Sequence, residues 1–277
     1  MPEHFVRGEE IIIPAEDFDP ALIFDCGQCF RFTPDESGRW SGVAFGKELS
    51  VKREGDEVHL RTDEESFETV WRRYFDMERD YASARKRISN DDFTREAAEF
   101  GAGIRILNQD FWEALCSFII SQCNNITRIR GIVERLCGMF GEELPGGRYS
   151  FPSAEKLAAL EPDDLAPLRS GYRAPYMISA AKQVSEGRIT PEELLPMTTE
   201  QAIKRLCQLE GVGRKVASCV LLFGAGKRDA FPIDVWMKRA LTEHYPAGFD
   251  PFEAFGEDAG LAQQYIFHYT RHLAEKV

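Results

Sequence analysis

The sequence predicts an α+β fold in which helices dominate, with an antiparallel sheet in residues 1–100 and a helical body in residues 101–277. Two patterns and one bound lead there. Short β-type runs alternate with turn clusters early in the chain, and from about Ser66 the spacing of apolar residues becomes helical. The chain has 277 residues, 43% of them hydrophobic, which is enough for a real core and two or three subdomains. No apolar run approaches the length of a membrane span.

The expected strands are Glu10-Ile11-Ile12-Ile13, Cys29 to Thr33, Gly42 to Phe45, Leu49 to Arg53 and Val58 to Arg61. Pro34-Asp35-Glu36-Ser37-Gly38 and Glu54-Gly55-Asp56 separate them, because Gly, Pro and Asp suit the backbone of tight turns. The expected helices run from Asp110 to Gln122, Ile126 to Phe140, Ser153 to Leu160, Ala174 to Glu186, Thr199 to Leu209, Arg214 to Phe223, Val235 to Glu243 and Asp258 to Glu275. No solenoid-type repeat and no low-complexity tract occurs, and the one candidate linker is Glu142 to Arg148 with its Pro-Gly-Gly.

Composition narrows the class. The first residues, Met-Pro-Glu-His-Phe-Val-Arg, have no basic region followed by an apolar stretch, so no signal peptide is expected and the chain is read as cytoplasmic. Seven cysteines form no disulfide-like framework and fit reduced thiols. Cys26 and Cys29 make the one C-x-x-C, but no second pair stands at metal spacing, and the pair is read as structural. The net charge of −12 opposes a nucleic-acid partner, since phosphate binding draws on Lys and Arg. Its distribution is uneven. Residues 1–100 hold 24 acidic and 14 basic side chains, whereas residues 201–240 set Lys204, Arg205, Arg214, Lys215, Lys227, Arg228, Lys238 and Arg239 against Glu210, Asp229 and Asp234, which predicts a basic face there.

The most informative stretch runs from Leu206 to Asp234. Gly211-Val212-Gly213 supplies a tight turn between two amphipathic helices, so residues 201–225 read as a helix-hairpin-helix. The amides that open the second helix have no intrahelical partner, and the helix dipole adds to them, so a phosphate can dock there without a side-chain cation. On the turn alone, an ordinary helical hairpin is an equal reading. Lys215 then sits in the first turn, where the dipole disfavours a cation; an amine that has lost its proton is a competent nucleophile for a sugar carbon. Asp234 follows Pro232 and precedes the next helix, the place of an N-cap. One carboxylate oxygen can cap while the other faces a developing positive charge. Lys215 and Asp234 thus read as nucleophile and carboxylate.

Beyond this stretch, Cys26-Gly27-Gln28-Cys29-Phe30-Arg31-Phe32, Trp40-Ser41-Gly42-Val43, Asn124-Asn125-Ile126, Gly171-Tyr172-Arg173 and Gly260-Leu261-Ala262-Gln263 followed by Phe267 occur in order along nearly the whole chain. Together with the hairpin and Pro232-Ile233-Asp234-Val235, they resemble the 8-oxoguanine DNA glycosylase branch of the helix-hairpin-helix, Gly/Pro/Asp superfamily. The resemblance implies a twisted N-terminal sheet beside two helical subdomains with the active cleft between them. It implies a monomer that acts on double-stranded DNA containing 8-oxoguanine as glycosylase and β-elimination lyase, in a prokaryotic cell. Some branches hold an iron–sulfur cluster on four cysteines after the aspartate; the last cysteine here is Cys219, so no cluster and no other cofactor or metal is expected.

Residue roles follow from the same resemblance. An enzyme that reads an extruded base must also fill the gap and hold the orphaned partner. Asn124 and Asn125 would fill the gap, Arg128 and Arg173 would hold cytosine, and Tyr172 would wedge the neighbouring pair. Gly211, Gly213 and Trp236 would lie on the DNA backbone. Gly27 would offer its carbonyl to N7–H of 8-oxoguanine, where guanine has a lone pair; Gln263 would read the Watson–Crick edge, and Phe267 and Cys219 would sandwich the ring. Taken singly, each has an ordinary structural reading as a cap, a surface residue or a core residue. Two positions depart from animal members: Cys123 precedes Asn124-Asn125 where three asparagines are usual, and Trp236 replaces a histidine. They loosen one contact to cytosine and one to phosphate. The alternatives are an alkylpurine glycosylase of the same superfamily, which lacks the lysine, and a non-catalytic helix-hairpin-helix module.

Overall fold

The computed structural model describes residues 4–275. Six strands form one antiparallel sheet: β1 (Phe5–Arg7), β2 (Glu10–Pro14), β3 (Thr33–Pro34), β4 (Trp40–Ala44), β5 (Lys47–Glu54) and β6 (Glu57–Arg61), in the spatial order β1-β2-β6-β5-β4-β3. Ile11 pairs Leu60 and Val51 pairs Leu60, so the apolar alternation of three strands lines one buried face. β1 lies outside the expected strands; it is a short, exposed edge whose sequence shows no alternation. Cys29 to Phe32, expected as a strand, bends at Phe30 and Arg31 and has no ladder partners; only Thr33 of the expected strand lies in a ladder. Its side chains serve two cores instead: Phe24, Cys29 and Phe32 enter the sheet core, while Cys26 and Phe30 enter the helical core.

The principal helices are α1 (Pro20–Asp25), α2 (Tyr81–Ile88), α3 (Asp92–Phe100), α4 (Phe111–Ile120), α5 (Ile126–Phe140), α6 (Ala174–Ser185), α7 (Thr199–Leu206), α8 (Arg214–Gly224), α9 (Val235–His244) and α10 (Ala259–Glu275). α4 is buried along its whole length and packs against α6 and α8, which explains why its sequence, Phe-Trp-Glu-Ala-Leu-Cys-Ser-Phe-Ile-Ile, lacks a polar face. α2 and α3 precede residue 100 but bury Tyr81, Ile88, Ala97 and Ala98 in the helical core. No described helix is long and apolar enough to cross a membrane.

The Pro-Gly-Gly stretch is a pinned turn rather than a linker. Gly146 N–H and Arg148 N–H donate to the Glu48 carboxylate at 2.7 and 3.3 Å, and Arg31 donates to the Tyr149 carbonyl, so the tip and the C-terminal end of the turn are tied to the sheet side.

Candidate active site

α8 and α9 both begin at one cavity, and their N-termini are capped differently. Asp234 caps α9, its Oδ1 accepting from Met237 N–H at 2.9 Å, whereas the cap of α8 is Gly213, which brings no side chain to the first amides. The positive end of α8 is therefore left for an anion, as the turn predicts. The two glycines of the turn differ. Gly211 has φ +74°, and a Cβ there would stand 2.3 Å from the Tyr176 ring; only glycine fits. Gly213 has ordinary extended φ and no atom within 4 Å of a would-be Cβ, so nothing inside the protein requires it. The expectation that both glycines serve the turn holds for Gly211 alone.

Lys215 projects from the first turn of α8 toward α4. Its Nζ donates to Ser121 Oγ at 3.3 Å and lies 5.3 Å from the Phe118 ring centroid, so a hydroxyl and an aromatic face hold it. It lines a cavity of about 40 Å³ together with Asp234, Cys219, Gly27, Gln263 and Phe267. Three residues from the hairpin stretch thus meet three from near the two ends of the sequence. Burial pushes the Cys219 thiol up, with neighbouring Lys215 opposing that and Asp234 adding to it. Half-buried Phe267 packs against Gly27 across this cavity, its ring 3.5 Å from where a Cβ of Gly27 would stand. Lys215 also lines a groove of about 540 Å³ beside Glu200, Arg214, Ile233 and Phe252.

The wall opposite Lys215 is fixed by amides. Gly27 adopts φ +77°, and no protein group among the described residues donates to its carbonyl. Gln263, 4% exposed, has no partner for Oε1. A buried acceptor without a donor costs about 1–3 kcal/mol, which a ligand bearing N–H groups would recover.

The expected DNA-facing residues collect on a second surface that begins at Ser121. Arg173 is only 3% exposed, and its guanidinium donates to the carbonyls of Gln122, Cys123 and Ser170. Its donors shape the 122–125 loop rather than projecting outward. Cys123 within that loop takes a left-handed φ of +47°. Asn125 caps α5 through Arg128 N–H at 2.9 Å, and Asn124 accepts from Asn125 N–H and donates to the Ile120 carbonyl. Arg128 is exposed, with one long contact to the Arg169 carbonyl at 3.4 Å. Tyr172 is 53% exposed and lies under the Arg173 guanidinium, while Trp236 is half-buried on α9.

Two results stand apart from the sequence reading. The expected basic face is largely internally neutralised: Arg205 pairs with Glu193, Arg214 and Lys204 with Glu200, Arg228 with Asp76 and Arg239 with Glu243. Counting charges within residues 201–240 does not reveal this, because all four of those acids lie outside that range. The sequence reading also misses Ser121, Phe118, Gln109 and Gln264. For Gln264 a signal existed: two adjacent amides, Gln263 and Gln264, interrupt an otherwise apolar start of α10 in which residues 259–266 are all buried.

Comparison with known proteins agrees with this geometry. Residues 10–115 match the N-terminal domain of 8-oxoguanine DNA glycosylase, and residues 116–251 match the HhH-GPD superfamily of base excision DNA repair proteins. The chain is 29% identical over 280 residues to the N-glycosylase/DNA lyase OGG1 of Arabidopsis thaliana, covering 89% of this chain and 75% of that one. Among solved structures, MBOgg1 in complex with a low-affinity DNA ligand is 38% identical with a TM-score of 0.92, covering 99% of both chains. The Clostridium acetobutylicum 8-oxoguanine glycosylase/lyase, bound to double-stranded DNA with cytosine opposite 8-oxoG, is 35% identical with a TM-score of 0.92, covering 99% of this chain and 98% of that one. An uncapped helix start, a lysine and an aspartate on one cavity, and this likeness over the full length place the chain in the 8-oxoguanine DNA glycosylase family of the HhH-GPD superfamily.

Proposed function

We propose that the chain is a bifunctional glycosylase and abasic-site lyase that removes 8-oxoguanine opposite cytosine from duplex DNA. The observation that carries this reading is the cavity lined by Lys215, Asp234, Gly27, whose carbonyl has no protein donor among the described residues, and Gln263, whose Oε1 has no partner. 8-Oxoguanine presents N7–H on one edge and N1–H and N2–H on the other, so both acceptors find donors. Guanine sets a lone pair against the Gly27 carbonyl, a difference of about 2–4 kcal/mol. That is too small to search a genome, and the remaining selectivity lies in extrusion.

With the base seated, the Lys215 amine attacks C1′ and the glycosidic electron pair leaves on the base, which takes up a proton. The Asp234 oxygen not used for capping faces the positive charge that develops on the sugar. Loss of a proton from the attacking nitrogen and opening of the ring give a Schiff base between Lys215 and C1′. Removal of a C2′ proton then expels the 3′ phosphate by β-elimination. The first amides of α8 fix the DNA backbone, a role made heavier by the internal pairing of nearby arginines. Arg128 is the exposed fork for cytosine O2 and N3, and Arg173 holds the loop that enters the gap. Lys215 sets this reading apart from that of an alkylpurine glycosylase.

Borohydride trapping tests it. Wild-type protein with an 8-oxoguanine duplex should give a covalent adduct and strand incision, and Lys215→Gln should give neither. An adduct formed by Lys215→Gln would remove the lysine from this role; base release without incision would point to alkylpurine-type chemistry, and binding alone to a non-catalytic module.

A further inference from the structure

We propose that Gln264 is a positioning residue for base selection: it holds the Cys26–Gly27 peptide so that the Gly27 carbonyl stays aimed into the cavity. The inference rests on the 8-oxoguanine reading above and adds a residue to it. Gln264 Nε2 donates to the Cys26 carbonyl at 2.7 Å. On the other side, Gln109 Nε2 donates to the Gln28 carbonyl at 2.6 Å. The Gly27 carbonyl therefore stands free between two carbonyls that are each tied by an amide from the helical body.

Such a tie is needed because of the residue it acts on. A glycine at φ +77° has no Cβ to restrict rotation of its flanking peptides, so the carbonyl direction is set from outside. Recognition through one hydrogen bond requires that direction to be held within about 0.5 Å. The side chain of Gln28 also braces the segment, reaching the carbonyls of Ile23 and Arg105 and the amide of Leu107, but it ties the loop to the sheet side. Gln264 links the Cys26–Gly27 peptide itself to α10, the helix that also carries Gln263 and Phe267; Arg271 of the same helix donates to the Asp25 carbonyl at 3.3 Å, one peptide earlier. One hydrogen bond thus registers the reader of the imidazole edge against the reader of the Watson–Crick edge. The site is costly for an amide: Gln264 is 2% exposed amid apolar side chains, where a methionine would pack as well.

Gln264→Met removes the donor and keeps an unbranched chain of similar length. Single-turnover release of 8-oxoguanine opposite cytosine is compared with incision at a preformed abasic site, which has no base to read, and thermal melting is measured beside both. The ratio of excision to abasic incision should fall about 10- to 100-fold. Gln264→Glu supplies a second readout: a protonated acid donates to the Cys26 carbonyl and a carboxylate repels it, so the ratio should recover as pH is lowered. An unchanged ratio in Gln264→Met, a parallel loss of both activities with lowered melting temperature, or a pH-independent ratio in Gln264→Glu each overturns the positioning role. Wild-type protein that incises abasic sites but releases no 8-oxoguanine overturns the functional reading, and the positioning role with it.

Discussion

The cavity wall that carries Lys215 and Asp234 comes from one continuous piece of chain, whereas the facing wall joins Gly27, near the start, to Gln263 and Phe267, near the end. The first wall is local. A turn places Lys215 at the start of α8 and a proline-led segment places Asp234 at the start of α9, and each position follows from rules about helix termini. The second wall is assembled. Gly27 is fixed by glutamines 109 and 264, and the loop it belongs to zippers between the sheet core and the helical core. Sugar chemistry common to a superfamily can thus be kept on the local wall while the base read is changed on the other.

Substitutions on the two walls should separate these roles. The largest effect is expected on the local wall. Asp234→Asn keeps a capping oxygen, so stability should change by less than about 0.5 kcal/mol, while loss of the charge should slow glycosidic cleavage by about 100- to 1,000-fold. Single-turnover kinetics with melting curves would check it, and equal losses of rate and stability would merge the cap and the charge into one role. On the assembled wall, Gly27→Ala places a Cβ at φ +77° about 3.5 Å from Phe267. It should reduce 8-oxoguanine excision relative to abasic-site incision by about 10- to 100-fold, from a backbone strain of about 1–3 kcal/mol. A variant that excises normally would show that another acceptor selects the base.

The smallest effects concern the hairpin. Gly211→Ala should destabilise the protein by about 1–3 kcal/mol, because its Cβ overlaps the Tyr176 ring. Gly213→Ala should leave the melting temperature near wild type yet weaken binding to duplex DNA, since the space its Cβ would fill lies outside the protein. Denaturation and filter-binding measurements on the pair would test whether one glycine serves the fold and the other the ligand.

The longer helices from Phe111 onward were legible because their apolar spacing and caps are local signals, and observed bounds fall within a few residues of those expected; the short helices Pro191–Leu194 and Pro251–Phe255 were not foreseen. The Cys29–Thr33 run was not, because alternating apolar residues look alike whether they line a sheet or bridge two cores. The basic face failed for a related reason. Charge along a sequence says nothing of Glu193, Glu200 and Asp76, which the fold brings to Arg205, Arg214 and Arg228.

By itself the sequence determined the α+β class, the hairpin, the lysine in the first turn of one helix and the aspartate that caps the next. These depend on backbone groups that a residue meets within a few positions of itself. Only the tertiary structure decided that Arg173 turns inward, that Gly213 is free while Gly211 is confined, and that Gln264 reaches the Cys26 carbonyl. Each of these depends on which distant carbonyl or ring stands within a few ångströms, a distance that chain order does not record.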